Sequence, residues 1–584
     1  MIEPHQHECT EPGRAAADKI YPPKSAALII LTFGGWLLAL FFMGGRMVPV
    51  VRSAGGTGQE IVLWMLVGLL GLFWLLGAYY LSMVILYFWE RRNPEPLLPD
   101  GPLQSAQLPV AILYPTCDDF QREAALTCVQ QRYGDFHVFL LDDSRSPECR
   151  EQVDRFHREF PECTSIVRRR DRSGFKAGNL NHALRGAASG FPVFAVMDAD
   201  ERIPEDFLRR LVGRLMSGYW AFVQAAHAPN PKQASSFAQA LGQTILPFWE
   251  VLLAIKNRFG FVPCVGHGLV VRRSAWSAVG GFPEVLSEDL EFSARLLALG
   301  FRGFYLRDVV CHEDFPPTLE ALRNQQRRYL CGVLGSALRF WPRALFNRRI
   351  RLVEKIDLGL SCLPLYVPVF CLGFLALLGI GMVIVFGTRG NLEFGVGHHL
   401  LTAPYIRTFD ERFRPLWNPY FVAMSAMISI SPALPTLALA LSGRLRRPFR
   451  LLVVSHLIYM STMFVWVGGI TDRLMRIPVQ FNPTMGRDGV ALTREAGRRG
   501  RRGLLAFELL ASVALVLLLA LTLNFGLAAV ACCPVLARTV GSRLGSMYCA
   551  GVGIFTGVIA QFVLGFLSLG SPVGLAQCVV SIHF

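Results

Sequence analysis

Seven runs free of Asp, Glu, Lys and Arg divide the chain: residues 25–45, 61–89, 358–388, 415–443, 451–471, 509–537 and 544–584. Each reaches the roughly 20 residues that a helix needs to cross a bilayer. Residues 90–357 instead mix polar and apolar positions as a soluble domain does. Within that insert, 108–116 (LPVAILYPT), 136–141 (FHVFLL), 164–167 and 191–197 (FPVFAVM) are short apolar runs that read as buried strands, and 121–132 and 177–186 read as helices. Strands alternating with helices predict a parallel sheet with right-handed crossovers. The expected fold is a polytopic α-helical membrane protein with an inserted cytosolic α/β domain.

Composition supports the membrane reading. Of 584 residues, 52% are hydrophobic and only 17% charged, against about a quarter charged in soluble proteins, and the mean hydropathy is +0.38. A disordered chain, a nucleic-acid-binding tail protein and an ordinary cytosolic enzyme are excluded. The net charge of +15 fits loops held on the cytoplasmic side by the positive-inside rule. No basic patch interleaved with aromatics is present, so nucleic acid is not an expected partner.

Charge also sets the topology. Seven crossings would place 472–503 outside, yet that segment holds Arg473, Arg476, Arg487, Arg494, Arg498, Arg499, Arg501 and Arg502. Arg444, Arg446, Arg447 and Arg450 flank 451–471 on its other side. A helix lying in the interface satisfies both basic flanks; a seventh span with an outside tail is the alternative. The expected order is a cytosolic tail (1–24), two spans (25–89), a cytosolic catalytic domain with basic interface helices (90–357), two spans (358–443), an interfacial helix and loop (444–503), and two spans (504–584). The first run lacks a basic n-region and an obvious cleavage site, as an anchor helix does. The 14 cysteines have no CxxC pair or metal-ligand spacing, which fits reduced thiols in the cytosol.

The acidic residues are scarce and well placed. Asp142-Asp143 follows the second apolar strand, Asp198-Ala199-Asp200 follows the fourth, and Thr116 ends the first. Ligands of open α/β sheets bind at these carboxyl ends. Paired hard oxygen ligands suit Mg²⁺ or Mn²⁺ bridging a diphosphate; solvated strand ends are the bland reading. Lys176 is one of six lysines among 58 basic residues, and serves either as a point charge near a diphosphate or as an ordinary helix-start residue. Glu288-Asp289 precedes an amphipathic helix, where Asp289 either caps that helix or acts as a general base. Gln325, Arg328 and Tyr329 lie at i, i+3 and i+4, which makes either a sugar-binding face or a basic juxtamembrane helix.

Taken in order, Asp142-Asp143, Asp198-Ala199-Asp200, Glu288-Asp289 and Gln325-x-x-Arg328-Tyr329 resemble the D(D), DxD, (T/E)D and QxxRW pattern of the processive, membrane-embedded family 2 glycosyltransferases. Lys176-Ala177-Gly178-Asn179 is similar to a segment of the bacterial cellulose synthase catalytic subunit, and Phe481, Thr484 and Arg487 fall in a stretch similar to its gating loop. Val265-Gly266-His267-Gly268, Leu286-Ser287-Glu288-Asp289 and Glu313-Asp314-Phe315-Pro316-Pro317 also resemble the glucosyltransferase of osmoregulated periplasmic glucans.

The resemblance implies a GT-A (Rossmann-like) domain and an inverting polysaccharide synthase in a bacterial plasma (inner) membrane. It implies a UDP-sugar donor, UDP-glucose first, a growing polysaccharide acceptor, and a periplasmic or accessory subunit as partner. Asp289 would be the base, and Asp198 and Asp200 would hold Mg²⁺ or Mn²⁺. Thr116, Asp142, Asp143 and Lys176 would bind the donor. Cys264, His267, Glu288, Gln325, Arg328 and Tyr329 would line the acceptor and diphosphate side.

There are departures. Tyr329 stands for Trp, Pro263-Cys264-Val265-Gly266-His267 for FFCGS, Cys117-Asp118-Asp119 for YNE, and Gly486 for the gating Lys. The chain ends apolar, so regulation by cyclic di-GMP through an attached PilZ-like domain is not expected. The competing classes are a non-processive enzyme making a lipid-linked sugar, a transporter retaining an α/β domain, and a non-catalytic subunit.

Overall fold

The computed structural model describes residues 24–93, 108–363 and, beyond those, parts of 369–470. The chain divides into two compact units. One comprises Met1–Ala27, Ile85–Gly359 and Gly468–Ala496, and the other Leu28–Val84, Leu360–Val467 and Gly497–Phe584.

The first unit is built on seven strands: β1 (Val110–Thr116), β2 (Phe136–Asp142), β3 (Thr164–Val167), β4 (Val193–Val196), β5 (Phe222–Pro229), β6 (Leu269–Arg272) and β7 (Gly303–Glu313). Their order is β3-β2-β1-β4-β6-β5-β7. The first four strands pair in parallel. The sheet as a whole is mixed, however, which corrects the parallel sheet expected from the alternation. β6 runs antiparallel between β4 and β5, while β5 and β7 pair in parallel. β6 is only four residues long, and a short apolar run carries no sign of its direction.

The strand period of two places alternate β1 side chains on opposite faces. Val110, Ile112 and Tyr114 pack with Phe156, Phe207 and Leu211, from the helices Pro147–Glu159 and Phe207–Met216. Ala111 and Leu113 pack with Leu180, Trp276, Phe292 and Leu296, from Phe175–Arg185, Arg273–Ala278 and Glu288–Ala298. Covered on both faces, the strands have no polar side to alternate, which is why they read as continuous apolar runs.

The topology gathers loops at one edge. Thr116 pairs with Asp142 where β1 and β2 end. Antiparallel β6 starts at Leu269 opposite Val196 of β4, so the loop entering β6 meets the loop leaving β4. β7 ends at Glu313, paired with Pro229 of β5. Beyond it, Leu319–Phe346 is a 28-residue helix whose N-cap Thr318 accepts from the Ala321 amide.

Helices Ala27–Arg52 (26 residues) and Thr57–Arg92 (36 residues), most of whose residues belong to the second unit, are, among the described residues, the two helices long and apolar enough to cross a membrane. Ala39, Met43 and Met47 pack on Trp74, and Trp36 Nε1 donates to the Gly71 carbonyl at 2.8 Å. Ile30, Phe41 and Phe42 point outward, as lipid-facing side chains do. Strands β8 (Thr388–Val396) and β9 (His399–Arg407) form an antiparallel hairpin. Most of the other predicted spans, and most of the proposed interfacial helix, lie outside the described residues.

Candidate active site

The loop after β4 is fixed from below. Tyr114 on β1 donates its hydroxyl to the Ala199 carbonyl at 2.6 Å, between the two aspartates. Glu201, fully buried, accepts from the Asp198 amide at 3.2 Å and from His227 Nε2 of β5 at 2.7 Å. Arg202 returns to the Asp200 carbonyl at 2.9 Å. Asp198 and Asp200 are thus left half-buried at the sheet edge with their loop held at three points.

Charge converges on this edge. Lys176, in the first turn of its helix, donates to Asp198 Oδ1 and to the Gly266 carbonyl, the latter at 3.0 Å. Burial opposes the Lys176 charge, but Asp198, Glu288 and Glu201 outweigh it and hold its pKa above the ordinary lysine value. His267 Nε2 lies 3.9 Å from Asp198 Oδ2 and 3.7 Å from Glu313 Oε2, and its Nδ1 lies 3.5 Å from Glu201 Oε1. Burial would discharge the imidazole, yet Asp198 and Glu201 raise its pKa to about 10. Burial, together with Asp198 and Glu313, pushes the Asp200 carboxyl well above the carboxylate range. Burial likewise raises Glu313. Carboxylates this crowded and this poorly solvated are the environment that a divalent cation relieves. Asp198 and Asp200 could supply hard oxygen donors for one.

The base candidates sit opposite. Glu288 and Asp289 occupy the first turn of Glu288–Ala298, whose N-cap is Ser287, and Asp289 Oδ1 accepts from the Leu290 amide at 2.8 Å. Desolvation, reinforced by the Asp289 charge, lifts Glu288 to about 7. Desolvation also raises Asp289, although Lys176 and His267 pull it down. The Gly266 backbone lies close enough that a Cβ there would stand 3.2 Å from Asp289 Cβ. Cys264 is buried beside this turn, its amide donating to Ser293 Oγ at 2.7 Å, and burial pushes its thiol upward. Gln325 Nε2 donates to Tyr329 OH at 3.3 Å. Burial pushes the Tyr329 hydroxyl up to about 12, against the pull of Arg328 and with the charges of Glu313, Asp198 and Asp289 adding to it.

The ends of β1 and β2 form a separate shelf. Thr116 Oγ1 donates to Asp119 Oδ1 at 2.9 Å, and burial lifts Asp119 to about 6. Asp142 accepts from Arg168 Nε at 2.7 Å and from the Ser144 amide at 2.9 Å, so both its oxygens are engaged within the protein. Asp143 is gripped by Arg169 through Nε (3.1 Å to each oxygen) and Nη2 (2.8 Å). Phe481, Thr484 and Arg487 lie outside the described residues.

Glu201, His227, Arg169 and Tyr114 are participants that the motif reading did not single out. Glu201 stands three residues after Asp198, a spacing available in the sequence; His227 sits on a strand that was not anticipated.

Residues 193–467 match the model described as glycosyl transferase family group 2. That match, with the glycosyltransferase relatives of the chain, supports a hexosyltransferase. Its mixed seven-stranded sheet is of the GT-A-like kind. The domain is similar to glucomannan 4-beta-mannosyltransferase 1 of Oryza sativa subsp. japonica, 28% identical over 233 residues, 38% of this chain and 43% of that protein. It is also similar to the beta-monoglucosyldiacylglycerol synthase of a Synechocystis strain, 26% identical over 229 residues, 38% of this chain and 47% of that one. The chain thus spans about half the length of the curated relatives it matches. Among solved structures, mannosyltransferase PcManGT from Pyrobaculum calidifontis, in complex with GDP-Man and Mn²⁺, matches with a TM-score of 0.43 at 18% identity, over 70% of this chain and 100% of that one.

Proposed function

We propose that this chain is an inverting, processive hexosyltransferase. It polymerises a β-glucan-type polysaccharide from a UDP-sugar, UDP-glucose first, at the cytoplasmic face of a bacterial inner membrane, and passes the product across. The observation that supports this best is the meeting of Lys176, Asp198, Asp200 and His267 with the raised Glu288–Asp289 pair at one sheet edge. That edge combines cation-binding carboxylates for a diphosphate with a carboxylate poised to take a proton.

Asp289 removes the proton from the acceptor hydroxyl. The hydroxyl oxygen bonds to the anomeric carbon as the bond from that carbon to the diphosphate breaks, inverting the configuration and releasing UDP. Asp198 and Asp200 would hold Mg²⁺ or Mn²⁺, which when bound would neutralise charge on the leaving diphosphate. Lys176 adds a positive charge on the same side. Thr116, Asp142 and Asp143 shape the nucleoside shelf, while Gln325, Arg328 and Tyr329 line the acceptor side with Cys264 and His267. The multi-pass arrangement, with six spans, 451–471 at the interface and a gating-like loop at Phe481–Arg487, belongs to this reading.

The test is incorporation from radiolabelled UDP-glucose, GDP-mannose and UDP-N-acetylglucosamine in purified membranes, followed by sizing and linkage analysis of the product. Asp289→Asn retaining full activity would remove the base assignment. The match to a glucosyldiacylglycerol synthase supports a second reading, transfer of one sugar to a lipid, and a label that stays entirely in the organic phase would establish it instead.

A further inference from the structure

We propose that His267 is a nitrogen ligand of the divalent ion held by Asp198 and Asp200, and that it biases the site toward Mn²⁺ over Mg²⁺. This rests on the donor-metal reading above and adds to it the identity of a third ligand and a metal preference.

The two ring nitrogens of His267 have different surroundings. Nδ1 faces Glu201 Oε1 at 3.5 Å. Nε2 points into the acidic edge, 3.9 Å from Asp198 Oδ2 and 3.7 Å from Glu313 Oε2. Donor atoms sharing an octahedral ion at about 2.1 Å stand roughly 3 to 4 Å apart, so Nε2 and these oxygens are spaced for one ion. A carboxylate on the far nitrogen of a ligating histidine is the usual device that sets its tautomer and orientation.

Glu201 is itself built to serve that role. It is fully buried, with one oxygen on His227 Nε2 and the other on the Asp198 amide. The same side chain therefore lies behind the histidine, 3.5 Å from Nδ1, and holds the loop of the first aspartate. The His267 ring stacks edge-on against His227, with centroids 4.5 Å apart. The backbone leaves room for all three groups. Gly268 has φ +61°, and a Cβ there would stand 2.4 Å from both Glu201 Oε1 and His227 Nε2. An imidazole donor favours a transition ion relative to Mg²⁺, which prefers all-oxygen ligands.

The experiment uses the purified full chain in detergent, titrated with Mn²⁺ alone and read by electron paramagnetic resonance. Spin-echo modulation reports any directly bound nitrogen. Wild type is expected to show nitrogen coupling. His267→Gln is expected to lose it, with Mn²⁺ affinity falling about tenfold or more and Mg²⁺ affinity, measured by competition, falling less. His267→Asp should bind Mn²⁺ without nitrogen coupling, which separates loss of a ligand from loss of fold. His227→Gln should keep the coupling, assigning it to His267. Bound Mn²⁺ without nitrogen coupling in wild type, or coupling that survives in His267→Gln, overturns the proposal while leaving the donor-metal reading standing. No Mn²⁺ binding in wild type overturns both.

Discussion

Tyr114, in the middle of β1, donates its hydroxyl to the carbonyl of Ala199, the residue between Asp198 and Asp200. The core strand thereby fixes the height of the acidic loop. Tyr114→Phe keeps the packing and removes the hydroxyl's bond to the Ala199 carbonyl and the one it accepts from the Gln121 amide at 3.3 Å, each worth about 1 kcal/mol. The expected result is a fall in kcat/KM of about fivefold with the melting temperature lowered by only a few degrees, checked by initial rates and thermal unfolding of the same preparation. A lowered melting temperature with kcat/KM unchanged would mean that the hydroxyl supports only the fold.

The acidic pair at the start of Glu288–Ala298 predicts the pH dependence. Glu288 is lifted to about 7 and Asp289 is raised as well, chiefly by desolvation. A raised carboxyl stays protonated to higher pH, so Asp289 ionises above the ordinary aspartate value and Glu288 only as pH rises through about 7. Activity should climb as Asp289 ionises, above the ordinary aspartate value of about 3.9. Stability should move the other way: the contribution of Glu288 is complete below the ordinary glutamate value of about 4.3 and is lost as pH rises through about 7. Glu288→Gln should shift the acid limb of the kcat/KM profile downward and raise stability at alkaline pH. A limb unmoved by this substitution would assign the titration elsewhere.

Much of this was legible in the residues alone. The strands through β4 read clearly because a two-sided sheet leaves uninterrupted apolar runs, and Asp198 and Asp200 sit where those runs stop. β5, β6 and β7 were not anticipated. β6 is four residues long, and β7 carries Arg307 and Asp308 in its middle, which breaks the apolar pattern. The roles of Glu201 and His227 depend on the pairing of those later strands, so no local pattern could join Glu201 to His227, 26 residues on. The grip of Arg169 on Asp143 was equally hidden, because an Arg-rich stretch reads as a solvated loop until its guanidinium is placed.

A buried ion pair ties the end of this unit to its sheet domain. Lys256 pairs with Asp357 Oδ1, and Asp357 Oδ2 accepts from the Phe261 amide at 2.7 Å, with both side chains buried. Lys256→Met leaves the Asp357 charge uncompensated by its cation, an imbalance worth about 3–5 kcal/mol. Lys256→Met combined with Asp357→Asn removes the charge yet keeps an acceptor for the Phe261 amide, and should recover most of the loss. Thermal unfolding of both variants decides it: a double variant no more stable than the single one would mean that packing of the lysine stem, not charge balance, dominates.

Two glycines separate backbone strain from site crowding. Gly280 has φ +80° and nothing within 4 Å of a would-be Cβ, whereas Gly268 has φ +61° with Glu201 and His227 in the way. Alanine at either position pays the left-handed penalty of about 1–2 kcal/mol. At Gly280 that is the whole cost, so Gly280→Ala should lower the melting temperature modestly and leave the specific activity of the folded fraction intact. At Gly268 the methyl must also displace the buried carboxylate that holds His227, the Asp198 amide and the His267 ring in register. Gly268→Ala should therefore lose activity and Mn²⁺ binding together, by a factor of about 10–100, in protein that still unfolds cooperatively. If the two variants lose activity to the same extent, the close approach at Gly268 is immaterial and the Glu201 cluster does not position the acidic loop.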